Sequence, residues 1–298
     1  MTSFTVKDLR FTFTLANNAM FETSNNNVLT VNGLRARAAI KGAGFPAFPE
    51  AELAVFGLKQ SDMNALTSLA FQPDFTARNT VLVEANNGQG FTNVFSGQII
   101  TSGPDYDGIP SVPLKMLARV LGFDSLNPAD PSQFTGGTVS VDSIVRSIAA
   151  QFSGGGYVVE NTDVTATLTN PYFSGTLTDQ LRAVASQANI EVNIEGQVIA
   201  IRPKSMARNQ TGFTLSPASG LVGYPKLDFQ RGYVYIKSLF NPAFRFGGPI
   251  TVQGSSVPLA NGSWIIGTLS HELESQMPGG KWFSNLLLYP PGKPPPTS

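Results

Sequence analysis

Histidines, paired carboxylates and glycine-rich loops are the parts of this chain that could do chemistry. His271-Glu272-Leu273-Glu274-Ser275 opens like the zinc-protease motif. That motif needs a second histidine at its fifth position, so that two imidazoles share one helical face. Here that position is Ser275, and His271 is the only histidine in the chain. The surrounding residues alternate as a strand does, so the segment reads as a polar, partly buried strand end. Two carboxylate pairs, Asp105 with Asp107 and Glu272 with Glu274, have the composition that glycoside hydrolysis requires. The first pair lies in the turn-like run Pro104-Asp105-Tyr106-Asp107-Gly108. The second sits at i and i+2 of a strand, where solvated faces produce such pairs routinely. Gly42-Ala43-Gly44-Phe45-Pro46-Ala47 fits G-x-G-x-x-A, but Pro46 and Pro49 prevent the helix that a dinucleotide fingerprint must open. Gly154-Gly155-Gly156 lacks the Gly-Lys-Ser/Thr ending of a phosphate loop. These residues predict no catalytic, cofactor or metal site.

Composition narrows the classes further. The chain has 298 residues, room for two or three domains, and 42% of them are hydrophobic, enough for a sizeable core. Only 13% are charged, about half the usual share. Such a surface fits either extensive contact with other protein or a β-rich globule dressed in Asn, Ser and Thr. Twenty basic and twenty acidic residues cancel, which argues against tight, sequence-independent nucleic-acid binding. There is no cysteine, hence no disulfide and no thiolate site. No apolar run approaches the length of a membrane helix, and the first residues hold no apolar signal core, so neither a membrane anchor nor export is expected.

The elements that would position any site are mostly strands. Phe11, Phe13 and Leu15 share a face of a strand within residues 4–15. Residues 17–27 are Asn-rich and loop-like. Alternation from Val28 to Ile40 predicts one strand, with Leu34, Ala36 and Ala38 on one side and Arg35 and Arg37 on the other. Further strands are expected over Glu50–Phe56, over a hairpin at Thr80–Glu84 and Phe91–Ile100 turning at Asn86-Asn87-Gly88, and over Ser111–Leu121. Ser61 is placed to cap a short helix ending near Ala70, with Leu66, Leu69 and Ala70 facing inward. The middle changes period. Ser140 precedes a stripe of Val141, Ile144, Val145, Ile148, Ala149 and Phe152 that Gly154–Gly156 should end. Thr176 and Asp179 form a capping box ahead of Leu177, Leu181, Val184, Ala185 and Ala188. A hairpin follows, turning at Glu195-Gly196. Residues 203–210 read as a linker with Lys204, Arg208 and Asn209 solvated. From Phe213 strands return: Ile250 and Val252 share a face, Asn261-Gly262 marks a tight turn, and Trp264 and Trp282 are expected to be buried.

The last stretch, Ser238 to Pro290, carries a resemblance. Its order is LFNP, then FGG and a strand, then a turn and Trp264, then LSHELES, then PGGKWF. With Thr169–Phe173 (TNPYF) and Gly220–Pro225 (GLVGYP) upstream, it resembles the baseplate hub proteins of tailed bacteriophages. The resemblance is strongest from about Phe91 onward. It implies a mainly β fold with an α+β insert: two small β-barrel hub domains flanking a two-helix plus hairpin domain. The expected bounds are 1–122 for the N-terminal barrel, 123–210 for the α+β domain, 211–290 for the C-terminal barrel and 291–298 for a Pro-rich tail. An echo between residues 81–100 and 250–269 fits two similar barrels, or the common grammar of hairpins.

The same resemblance implies a structural virion protein of the tail baseplate, assembled in the host cytoplasm. It would be a homo-oligomer, usually a trimer, contacting the tail tube protein, the central spike protein and other baseplate proteins, and it would let DNA pass without binding it. Phe45, Phe48, Phe240, Phe244, Phe246, Trp282 and Phe283 lie in loop-like or turn-flanking positions, where aromatics anchor interfaces or plug barrel ends; the resemblance favours the interface. Arg35, Arg37, Lys204 and Arg208 are not expected to line a bore as a basic stripe. Two other readings stay open: a tail-associated cell-wall hydrolase, and the hub protein of a phage-like contractile injection machine.

Overall fold

The computed structural model describes residues 7–42, 44, 47–68, 79–86, 88–122, 124–153 and 155–293. Among these the fold is mainly β. The first strands are β1 (Asp8–Thr14), β2 (Val28–Val31), β3 (Ala36–Gly42) and β4 (Glu50–Phe56), followed by helix α1 (Gln60–Leu66). Then come β5 (Thr80–Asn86), β6 (Phe91–Pro104) and β7 (Pro113–Arg119). The middle holds β8 (Ser132–Gln133), β9 (Thr138–Ser140), α2 (Val141–Ala149), β10 (Val158–Asn161), β11 (Thr167–Thr169), β12 (Tyr172–Phe173), α3 (Leu177–Ala188), β13 (Ile190–Glu195) and β14 (Val198–Pro203). The last strands are β15 (Phe213–Leu215), β16 (Leu221–Asp228), β17 (Tyr233–Leu239), β18 (Pro249–Val252), β19 (Gly262–Ser275) and β20 (Trp282–Tyr289). The chain packs as two compact units.

Unit 1 comprises Met1–Lys41, Pro49–Gly122 and Ser270–Phe283. Its sheet runs β2-β1-β5-β6-β7-β4-β3, with the end of β19 beside β3. Antiparallel register puts Phe11 opposite Val83, Phe13 opposite Val81 and Leu53 opposite Met116, and all six are buried. The opposite face carries ions in cross-strand positions. Arg10 grips Glu84 through two hydrogen bonds of 2.6 Å and lies over the Phe91 ring. Arg119 pairs with Glu50, its register partner on β4. Period-2 patterning therefore sorts apolar residues inward and complementary charges outward.

Two expectations change in unit 1. The single strand foreseen over Val28–Ile40 is two, β2 and β3. Gly33 takes a left-handed φ of +67°, and its N–H donates to the Asp8 carboxylate at 3.1 Å, so the chain turns there. The short helix starts two residues early, with Lys59 rather than Ser61 at its N-cap. Leu66 is buried as expected, while Leu69 and Ala70 lie outside the described residues.

Unit 2 comprises Gly42–Phe48, Phe123–Leu269 and Ser284–Ser298. Both helix starts follow their sequence signals. The Ser140 side chain accepts the Ser143 N–H, and Thr176 and Asp179 form a reciprocal box. Helix α3 ends at Asn189, which adopts the left-handed conformation. The hairpin β13–β14 gains a third strand that alternation did not reveal: β10 pairs with β14 in parallel. In unit 2 the hydrogen-bonded order runs β16-β17-β20-β19, with β18 joined to β19 and β15 to β18. Its core holds Leu221, Ile236, Phe244, Ile250, Val252, Ile266, Leu286 and Leu288.

Trp282 is buried, but Trp264 is only half-buried against that core, with its indole N–H donating to the Ala260 carbonyl at 2.9 Å. Asn261 is not the tight-turn residue expected. Its φ is −72°, and its side-chain amide instead closes the loop on the Ser255 backbone. Closed barrels are not found among the described residues; the hydrogen-bonded order ends at β2 in unit 1 and at β16 in unit 2.

Two stability outcomes follow. Replacing Trp282 by Ala should cost about 3–5 kcal/mol, read from denaturant unfolding. Replacing Thr176 by Ala should cost about 1 kcal/mol. The Thr176 hydroxyl is also the largest influence holding the Asp179 pKa below the usual carboxylate value. A depressed folded pKa stabilises above the unfolded value and is lost as pH falls through the folded one. Asp179→Asn should therefore remove part of the stability loss seen below about pH 4.

Candidate functional site

The carboxylates and histidine singled out from sequence are built into strands and turns, and Asp105, Glu272 and Glu274 each have a cation beside them. His271 is buried on β19. Glu272 and Glu274 project from the same strand, as their spacing requires, and each meets a base: Lys281 at 3.1 Å from Glu272 and Arg37 at 3.3 Å from Glu274. Glu274 also accepts the Lys281 backbone N–H at 3.0 Å, which closes the β19–β20 turn. In the other pair, Lys115 sits 2.6 Å from Asp105 and, as the largest cause, holds its pKa below the usual value. A general acid in glycoside hydrolysis needs the opposite shift. Of the glycine loop, Ala43, Phe45 and Pro46 lie outside the described residues, as does Gly154.

The seven aromatic positions divide. Phe240, Phe244, Phe246 and Trp282 are buried within their own chain. Phe244 packs edge-on against Phe213 with ring centres 5.4 Å apart, and Phe246 abuts Gly44 so closely that a Cβ there would lie 2.5 Å from its ring. Phe48 and Phe283 are half-buried, and Phe45 lies outside the described residues. Several exposed apolar side chains of unit 2 lie on the β16–β17 hairpin: Tyr224 is 76% exposed, Phe229 82%, Leu239 55% and Tyr235 40%. A signal for them existed. In β17, Val234 and Ile236 alternate with Tyr235, Lys237 and Leu239, so one face must look outward carrying aromatic and aliphatic groups.

What fixes the loop leading out of that hairpin is an ion cluster that sequence reading missed. Arg208, expected to be solvated, is 6% exposed. Its guanidinium donates to Glu160 on β10 and to Glu195 at the end of β13, the latter at 2.7 Å. The second Glu195 oxygen accepts the Phe246 N–H at 2.8 Å, and the Arg208 N–H reaches the Gly247 carbonyl at 2.8 Å. Both carboxylates raise the Arg208 pKa, although desolvation, the largest single influence, works against them. Arg202, fully buried beside it in the fold, donates to the Met206 carbonyl at 2.6 Å. A Cβ at Gly247 would stand 2.6 Å from the Arg202 Nε, and its φ is +75°, so glycine is required there on both counts. Of the other polar residues considered, Asn209 is exposed, Lys204 half-buried, and Arg35 stacks over Phe56 at 3.8 Å.

A family model described as baseplate hub gp41 matches residues 9–278. The chain belongs to that family. Solved structures agree in fold with this hub-family chain. The 43 kDa tail protein of prophage MuSo2 from Shewanella oneidensis superposes with a TM-score of 0.61 at 11% identity, covering 95% of this chain and 99% of its own. A tail protein from Neisseria meningitidis MC58 gives 0.63 at 11% identity, covering 94% and 96%. The c3393 protein of E. coli, a type VI secretion component with structural similarity to the T4 tail proteins gp27 and gp5, gives 0.61 at 10% identity, covering 88% and 76%. Curated proteins provide no match. Among the described residues no helix is long and apolar enough to cross a membrane.

Removing the Arg208 guanidinium strands two carboxylates. Arg208→Met should cost about 3 kcal/mol, the lower end for a buried pair because Glu160 stays half open to water. Equilibrium unfolding reads this directly. Gly247→Ala should destabilise as well, and a variant of either kind that unfolds like the native chain would refute the cluster as a structural clamp.

Proposed function

We propose that the chain is a structural protein of a phage tail baseplate hub, and that copies of it form a ring joining the tail tube to the central spike. The observation that carries this reading is the hub-family match over residues 9–278. The physical logic is symmetry matching. Three chains, each with two similar barrel-like domains around an α+β insert, offer six quasi-equivalent positions to a sixfold tube and three to a threefold spike. The ring's work is mechanical: it holds the channel closed and then passes DNA. A wall that passes DNA should not grip it, because each phosphate neutralised by Lys or Arg adds affinity. Pairing of Arg37 with Glu274, Arg10 with Glu84 and Arg208 with Glu160 and Glu195 supports such a wall.

One observation favours a second reading. The similar E. coli protein is a type VI secretion component, so a contractile injection machine could use the same hub. The cell-wall hydrolase reading has no converging site to support it.

Mass photometry of the purified chain should give a discrete oligomer, with a trimer expected, and mixing with the tube and spike proteins encoded beside it should give one larger complex. A chain that stays monomeric with both partners present would defeat the ring. Peptidoglycan clearing by the purified chain that disappears in Glu272→Gln/Glu274→Gln would replace the structural reading with the enzymatic one.

A further inference from the structure

Four enclosed polar atoms of unit 2 have no hydrogen-bond partner among the described residues, and all four can donate. They are Arg202 Nε and Nη2, Gln210 Nε2 and the Tyr289 hydroxyl. Arg202 and Tyr289 are fully buried; Gln210 is half-buried, with its Nε2 enclosed. Buried polar groups in native proteins are satisfied as a rule, and leaving a buried charge without partners is the costliest exception.

The Gly247-Gly248 dipeptide brings these groups together. A Cβ on Gly247 would lie 2.6 Å from Arg202 Nε and 3.2 Å from its Nη2, and one on Gly248 would collide with Gln210 Nε2. Two adjacent residues without side chains thus hold both groups against one short piece of backbone. Tyr289 joins from the end of β20. Burial, the larger influence, raises its pKa, and Arg202 is near enough to pull the other way without an aligned hydrogen bond between them. The hydroxyl therefore keeps its proton and can donate. Glu191 stands directly across from Arg202 on β13, yet accepts from neither Nε nor Nη2. Nη1 is already taken by the Met206 carbonyl at 2.6 Å.

That set of donors selects its ligand. Nε and Nη2 form the edge with which a guanidinium grips an anion through two parallel bonds. The Gln210 amide and the Tyr289 hydroxyl add two further donors. A water molecule must give hydrogens as well as take them, and this cluster is built of donors. A negative charge also offsets the burial of the Arg202 charge, as Glu160 and Glu195 do for Arg208. Because Arg202 and Tyr289 are fully enclosed, the ligand must be small.

We propose that Arg202, Gln210 and Tyr289 form an enclosed binding site for a small inorganic anion of halide size. The anion enters as the fold closes and ties the Gly247-Gly248 loop to β14 and to the end of β20. The inference stands apart from the hub reading and can fail without it.

The test is an unfolding titration of the full chain in sodium chloride against sodium gluconate at one ionic strength, because gluconate is too large to be enclosed. The midpoint should rise with chloride and then level off. Tyr289→Phe and Gln210→Met each remove one donor at nearly constant volume. In both, half of the rise should need about tenfold more chloride. Crystals of the native chain grown in sodium bromide should show an anomalous peak within hydrogen-bond reach of Arg202 Nε and Nη2. A midpoint indifferent to chloride, or a chloride response that neither variant alters, would overturn the proposal. So would the absence of an anomalous signal beside Arg202, whether the position holds an ordered water or nothing.

Discussion

Unit 2 depends on taking one guanidinium out of water. Burying the Arg208 charge costs several kcal/mol unless partners replace its hydration, and Glu160 and Glu195 do so. The consequence is positional. Glu160 belongs to β10, Glu195 to the β13 end of a hairpin, and both Arg208 and Glu195 hold backbone groups of the Phe246-Gly247 loop. Four separate stretches are therefore tied together by Arg208 and Glu195. Arg202 tightens the arrangement, because its buried side chain leaves room only for glycine at position 247. Tyr289 records the same environment: burial raises its pKa, and the Arg202 charge pulls the other way.

Where sequence signals are local, they survived folding. The Thr176–Asp179 box and the Ser140 cap work because each satisfies helix-end N–H groups within three residues. Alternation in Glu50–Phe56 and Pro113–Arg119 survived because each strand buries one face. What escaped was non-local. No pattern within Val158–Asn161 reveals that it will pair in parallel with a strand some forty residues on. A basic residue in a polar linker reads as solvated until two carboxylates from other strands converge on it. The break at Gly33 depends on Asp8, a strand away.

Aromatics exposed the same limit from the other side. In a turn or loop no periodicity assigns a face, so Phe240, Phe244 and Phe246 could not be told from interface anchors by sequence. The fold draws them inward, and it leaves Phe229 and Tyr224 outside, one in a turn and one in an irregular stretch of strand. In β17 alternation puts Tyr235 and Leu239 on one face, but whether that face meets water or protein depends on what lies beyond the strand.

Charge pairing connects these observations to the hub family. The chain has few charged residues, and many of them are matched across strands: Arg10 with Glu84, Lys41 with Glu52, Arg119 with Glu50 and Lys281 with Glu272. Such exposed pairs add little stability individually. Their effect is on the outer field, because a matched pair presents no net charge to its surroundings. The β16–β17 hairpin also leaves Phe229 and Tyr224 exposed, and large exposed apolar surface is where proteins make contacts. For a protein of the baseplate hub family, a neutral outer field and residual apolar contacts are compatible demands.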